Sequence, residues 1–309
     1  MITWSQFVEY AEAQCIKNEY IEQTKSFFEC LDPAVFDRFY HAERVDKAEI
    51  MRLFPGNEFR RFLMVLAVAS WPEMLELYRK ENYSAQQLED IKCDLALWLE
   101  KFSSDNVGIT GIDFRIMEWI RSVRTGEVLQ FGRLQCNNKH AFCGNVACFE
   151  GPEGTVVLKP QKEHCADALL SNGDPAICLH IPASGPLKRE LCIDSLRKMT
   201  AFFGERKLEY KAVVCYSWIL DPVFTKIMQS TNLADFQKLG HLFRLDGCDQ
   251  TDEIVWRVFN IWHGTPADIG DGPWNSGMQR SVAAYLKTGG RFCEYGMVIL
   301  KKELDDLLK

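Results

Sequence analysis

The chain has 309 residues, 47% of them hydrophobic, with 36 Lys+Arg against 43 Asp+Glu. At about 100–200 residues per domain this length accommodates two domains, each able to bury a core without disulfide or metal staples. A net charge of -7 with no dense basic block argues against a nucleic-acid partner, and the composition excludes collagen, disorder and a disulfide-held miniature scaffold.

The opening Met1 to Tyr10 carries neither a basic leader nor an unbroken apolar region, so a cytoplasmic location is expected. Asp32 followed by Pro33 is a helix start, an N-cap with proline in the first turn. The apolar run from Phe62 to Ala69, with Trp71 just beyond, falls far short of the roughly 18–20 residues of a membrane span. It reads as a buried helix, and no membrane partner is expected. Ser84 with Gln87 forms a capping-box pattern, opening a helix that carries Leu88, Ile91, Leu95, Trp98 and Leu99 at helical spacing. A further helix spans 113–123 and stops before Gly126. Glycine is scarce and period-two alternation absent, so residues 1–122 read as an all-helical domain. Its aromatic stripes (Phe7, Phe27, Phe28, Phe36, Phe39, Tyr40) are core positions.

Beyond Gly126 the pattern changes. Residues 128–134 and 155–159 read as strands of an antiparallel hairpin or meander, joined by a turn-rich, Cys-rich connection. Residues 176–182 form a strand, Ala183-Ser184-Gly185 a turn, 186–203 a helix and 212–218 a second strand. Cys192, Leu196, Met199 and Phe203 share one face of that helix. Strand, helix, strand is a crossover unit with two parallel strands. Asp221-Pro222 starts another helix, ending near 228, and 241–245 reads as a strand. A long Gly/Pro-rich loop covers 260–277, a helix 278–287 and a strand 292–300. Residues 123–309 are therefore a second, mixed domain, and the fold class is α+β.

Twelve cysteines stand out. In a reducing cytosol pairing is disfavoured, and Cys93, Cys178, Cys192 and Cys215 sit in apolar runs, where cysteine behaves as a small hydrophobe. Cys136, His140, Cys143 and Cys148, with His164 and Cys165 further on, have spacings that match no common zinc module, so no metal is expected.

Chemistry points to the segment Leu179-His180-Ile181-Pro182-Ala183-Ser184-Gly185-Pro186-Leu187-Lys188-Arg189-Glu190. A small-residue turn there joins the end of a parallel strand to a helix start, where free N–H groups and the helix dipole suit an anion. Lys188 and Arg189 oppose that dipole, which makes sense if a phosphate binds. Pro182 cannot continue a ladder, so its strand diverges from the neighbour at 212–218 and opens a gap.

The stretch Leu179-His180-Ile181-Pro182 with Ser184-Gly185-Pro186-Leu187, then Glu190 and Cys215-Tyr216-Ser217-Trp218-Ile219-Leu220-Asp221-Pro222, resembles a family of bacterial acyltransferase-domain proteins. Phe236-Gln237, Phe243-Arg244-Leu245, Val258-Phe259, Gln279-Arg280 and Gly289-Gly290 look like the same pattern. That family pairs a helical N-terminal domain with a GNAT-like C-terminal domain built on a splayed central sheet. The resemblance implies an N-acyltransferase moving the acyl group of acetyl-CoA or a longer acyl-CoA onto a small-molecule amine by direct attack. The backbone N–H groups of Ile181 and Ala183 would polarise the thioester carbonyl, and Ser184, Gly185, Leu187, Lys188 and Arg189 would hold the CoA pyrophosphate. His180 is the first candidate for general base and Glu190 the second; Ser217 or Tyr216 would protonate the departing thiolate. The usual Arg/Gln-x-x-Gly-x-Gly/Ala loop of GNAT enzymes is missing, so a non-catalytic acyl-CoA-binding or regulatory module stands as the alternative. Acyl transfer through Cys215 is disfavoured by its apolar neighbours, which raise a thiol's pKa.

Overall fold

The computed structural model describes every residue except 43–45, 106–107, 138, 229–231 and 262–263. It divides into two compact units, Met1–Leu129 and Gln130–Lys309.

The first unit contains the helices α1 (Trp4–Ala13), α2 (Asn18–Cys30), α3 (Pro33–Tyr40), α4 (Lys47–Leu53), α5 (Glu58–Ala69), α6 (Trp71–Lys80), α7 (Ala85–Ile91), α8 (Asp94–Asp105) and α9 (Phe114–Arg124). Residue 122, the expected domain boundary, lies inside α9. Local side-chain chemistry sets several starts. The Asp32 carboxylate accepts the Ala34 N–H at 2.8 Å, and Ser84 and Gln87 form the expected capping box. The helix expected to run on from Ser84 is instead two, α7 and α8. Cys93 lies in the break and is bonded to Cys15, with Cα atoms 5.2 Å apart. This corrects the reading of Cys93 as a merely apolar filler.

The centre of this unit is α5, whose residues from Phe62 to Ala69 are each at most 3% exposed. Phe62 stacks on Phe54 at 4.3 Å and meets Phe39 edge-on at 5.6 Å. Phe7, Phe28, Phe36 and Phe39 are buried in the same core, with Phe27 and Tyr40 packed against it. Among the described residues no helix is long and apolar enough to cross a membrane.

β1 (Val128–Phe131) spans the division, and the second unit continues with β2 (Leu134–Asn137), β3 (Val146–Glu150), β4 (Val156–Pro160), β5 (Ala176–His180), α10 (Arg189–Glu205), β6 (Ala212–Ser217), α11 (Val223–Ile227), α12 (Asn232–Gln237), β7 (His241–Asp249), α13 (Thr251–Phe259), α14 (Gly277–Lys287), β8 (Cys293–Leu300) and α15 (Lys301–Leu307). Six strands form one sheet in the order β1-β2-β5-β6-β8-β7, while β3 and β4 form a separate pair. The run 128–134 is thus not one strand: Gly132, at φ +64°, turns the chain between β1 and β2. Nor does the strand near 155–159 pair with it. That strand, β4, pairs with β3 in the register Val146↔Pro160 to Glu150↔Val156.

β5 and β6 are parallel, as a crossover through α10 requires. α10 starts at Arg189 rather than Pro186, because Gly185 is left-handed at φ +67° and Lys188 is still extended. Ala176 and Cys178 of β5, Ala212 and Val214 of β6, Phe243 of β7 and Val298 of β8 share one buried cluster with Phe142 and Cys148, and Tyr216 packs against it.

Candidate active site

The ladder between β5 and β6 ends at Leu179↔Cys215, whereas β6 runs on against β8 as far as Ser217↔Tyr295. Tyr216 and Ser217 therefore lose their neighbour on the β5 side. Pro182 supplies the reason, since it has no N–H to offer the ladder. Alternation along the strands sends His180 and Tyr216 to the face that carries Cys178 and Val214, and sends Ser217 with Leu179 and Cys215 to the other.

His180 is half-buried, and its Nε2 lies 2.7 Å from Asn137 Oδ1. An amide oxygen only accepts, so this contact assigns the ring proton to Nε2 and the lone pair to Nδ1. Burial, with His140 nearby, pushes the His180 pKa down to about 4, and the ring is neutral at pH 7. His140 is lowered by burial too, and its buried Nε2 has no hydrogen-bond partner among the described residues. The Tyr216 ring lies 6.0 Å from the His140 ring, and its hydroxyl oxygen accepts the Cys143 N–H at 3.1 Å. Burial raises the Tyr216 pKa, which keeps the phenol protonated.

Not all four acid–base candidates meet. Ser217 Oγ, on the opposite face, accepts the Ile219 N–H at 3.4 Å as the cap of the next turn. Glu190 is exposed in the first turn of α10. His180 and Tyr216 are the pair that share a face at the ends of β5 and β6.

Ile181, Ala183, Ser184, Gly185, Leu187 and Lys188 form the loop into α10, and Arg189 is the helix's first residue. Leu187 is buried, Ile181 and Ser184 half-buried, and Ala183, Gly185, Lys188 and Arg189 exposed. The N-cap residue of this 17-residue helix, Lys188, makes no side-chain cap hydrogen bond among the described residues, which leaves the first N–H groups for a ligand.

Sequence reasoning missed Arg133. From the turn between β1 and β2 its guanidinium donates to three carbonyls of the loop: Nη1 to Pro182 O at 2.9 Å, Nε to Pro186 O at 3.1 Å and Nη2 to Gly185 O at 3.2 Å. The N–H groups of Arg133 and Leu134 donate to Ser195 Oγ at 3.0 and 3.2 Å, and Ser195, fully buried in α10, donates to Leu191 O. The available signal was Gly132 inside an apolar run, a mark of a turn.

The cysteines are poorly placed for nucleophilic work. Burial pushes the Cys215 thiol well up, Cys178 and Cys148 to about 12 and Cys192 to about 11. Cys136 and Cys148 are buried in strands and Cys143 is exposed. Among the described residues, no group of three or more His, Cys, Asp or Glu side chains could hold a metal ion.

Residues 128–298 match the family described as the GNAT-like C-terminal domain. The chain belongs to that family. Solved structures extend the likeness over both units. An acyltransferase in complex with decanoyl-CoA superposes with a TM-score of 0.68 at 18% identity, covering 94% of this chain and 86% of that one. A mutant acyltransferase in complex with octanoyl-CoA gives 0.69 at 16% identity, covering 96% and 88%. An acyltransferase in complex with decanoyl-CoA and teicoplanin gives 0.69 at 17% identity, covering 94% and 86%. At such identities the likeness is one of fold. No curated protein matches the chain by sequence. For this GNAT-like protein the matched segment contains β1 to β7, α10, the loop before it and Arg133.

Proposed function

We propose that the protein is an acyl-CoA-dependent N-acyltransferase that moves an acyl group from a CoA thioester to an amine by direct attack. The observation that carries this reading is the interrupted ladder: β5 leaves β6 at Leu179↔Cys215 while an uncapped helix start follows the loop. It is supported by a fold shared with acyltransferases in complex with decanoyl-CoA and octanoyl-CoA.

In this reading the thioester lies in the gap and the pyrophosphate at Ser184, Gly185, Leu187, Lys188 and Arg189. The N–H groups of Ile181 and Ala183 polarise the carbonyl. The amine nitrogen forms a bond to the carbonyl carbon as the C–S bond breaks. His180 takes the amine proton and Tyr216 gives one to the thiolate. Glu190 is the reserve base and Ser217 the reserve acid. Residues 1–122 serve as the helical N-terminal domain and 123–309 as the acyltransferase domain. Use of an acyl-CoA donor accords with a cytoplasmic site of action.

The missing Arg/Gln-x-x-Gly-x-Gly/Ala pattern favours a second reading, a module that binds acyl-CoA without turnover. A thiol-release assay separates the two, using acetyl-, octanoyl- and decanoyl-CoA over a panel of amines that includes teicoplanin. Release of CoA thiol that depends on the amine is expected. Tight CoA binding with no release under any pairing would leave the binding module.

A further inference from the structure

The segment between β5 and α10 lacks the glycine-rich pattern that would by itself turn several N–H groups toward a pyrophosphate. We propose that Arg133 replaces that pattern as a positioning residue: by gripping the carbonyls of Pro182, Gly185 and Pro186 it turns the N–H groups of Ala183 and Leu187 toward the pyrophosphate of acyl-CoA. The proposal rests on the acyl-CoA reading above.

Peptide geometry gives the direction. Across a trans peptide the carbonyl and the following N–H point opposite ways. Fixing Pro182 O therefore aims the Ala183 N–H away from the guanidinium, and fixing Pro186 O does the same for Leu187. The third contact, to Gly185 O, precedes a proline that has no N–H, so it tightens the loop without occupying a donor. Among the described residues, neither the Ala183 nor the Leu187 N–H has a hydrogen-bond partner.

Charge points the same way. Arg133 donates to carbonyls, and among the described residues no carboxylate neutralises it. A cation held behind the loop raises the potential where an anion would bind, while its donors stay engaged with protein. The planar fork matters too, because one guanidinium reaches three acceptors at 2.9–3.2 Å in fixed directions, which an ammonium on a flexible stem does not do. Ser195 closes the clasp, tying the turn that carries Arg133 to the helix that follows the loop.

The test uses the full chain with Arg133→Met and Arg133→Lys, two thioester donors with the same acyl group, acyl-CoA and S-acyl-pantetheine, and calorimetric titration with CoA. Only the first donor carries the pyrophosphate. Losing aimed donors to a charged group corresponds to roughly 10–100-fold in affinity. We expect the Arg133→Met protein to show KM for acyl-CoA and Kd for CoA raised by that factor, kcat nearly unchanged, and KM for S-acyl-pantetheine as in the wild type. Arg133→Lys keeps the charge and loses the fork; it should recover only part of the affinity, and it carries the comparison if the methionine variant melts early. Unchanged KM for acyl-CoA, or equal losses for both donors, would overturn the positioning role. A wild-type chain that neither binds CoA nor releases thiol would instead overturn the acyl-CoA reading, and this inference with it.

Discussion

The two units differ in where their regular structure is interrupted: the helical unit packs around one buried helix, and the mixed unit has a strand ladder that stops short. In the helical unit the core is a continuous apolar packing around α5, in which Trp119 Nε1 donates to Asp94 at 3.0 Å and Gln14 Nε2 to Tyr10 O at 2.9 Å, while the buried Tyr78 hydroxyl, Arg60 Nε and Arg124 Nε have no hydrogen-bond partner among the described residues. In the mixed unit β5 and β6 are buried until their last residues. There the ladder stops, and among the described residues His140 Nε2, near the neutral His180 ring, and the Ala183 and Leu187 N–H groups have no hydrogen-bond partner. A strand that leaves its neighbour within an otherwise continuous sheet is a local departure from the fold, and that place is the candidate for function.

The largest effect should come from the departure itself. Replacing His180 by Gln keeps a polar side chain and removes the base, and general-base catalysis is worth about 10²–10⁴-fold. We expect kcat to fall by that factor with CoA binding retained; a loss below tenfold would transfer the role to another group. The pH profile sharpens the point. An unperturbed histidine titrates near 6.5, whereas burial holds His180 at about 4. After correction for the acceptor amine's own ionisation, the acidic limb of kcat/KM should lie well below pH 6.5. The same shift acts on folding. The folded state disfavours the protonated ring, so this contribution to stability is full above about pH 6.5 and lost as pH falls towards 4, a loss the Gln variant should not show.

In the helical unit the corresponding break is thermodynamic. Phe62 is fully buried between Phe54 and Phe39, and truncation to Ala should cost about 3–5 kcal/mol by urea unfolding. The folded fraction should retain its CoA affinity. A large drop in that affinity would show that the two units do not divide stability and function in this way.

How much of this was readable from sequence follows from which signals are local. Asp32-Pro33, Ser84 with Gln87 and the run Phe62 to Ala69 specify α3, α7 and α5 through contacts within a turn or two of helix. Pro182 carried the interruption of β5, because a missing N–H is a property of one residue. The Cys15–Cys93 link, over 78 residues, left no such local trace. Arg133 was missed for the same reason, since its three partners lie about fifty residues away. His140 was noticed only as a member of a Cys/His group whose spacings match no common zinc module; its place beside Tyr216 goes with the pairing of Ala141 with Pro175.

The smallest effects compare like with like, a short side chain accepting backbone N–H groups in each unit. Ser195 Oγ, fully buried, accepts from Arg133 and Leu134 at 3.0 and 3.2 Å. Ser195→Ala strands the buried Leu134 donor and frees the part-buried Arg133 donor, a cost of about 1–3 kcal/mol, and by loosening the turn it should also raise KM for acyl-CoA. Asp32 accepts the Ala34 N–H at 2.8 Å on an exposed helix end. There water replaces the lost acceptor, so Asp32→Ala should cost about 1 kcal/mol and leave every kinetic constant unchanged. Measured side by side, the pair separates a cap that only starts a helix from a buried hydroxyl that also holds the clasp. Equal stability losses with no change in KM for either variant would reduce Ser195 to another cap.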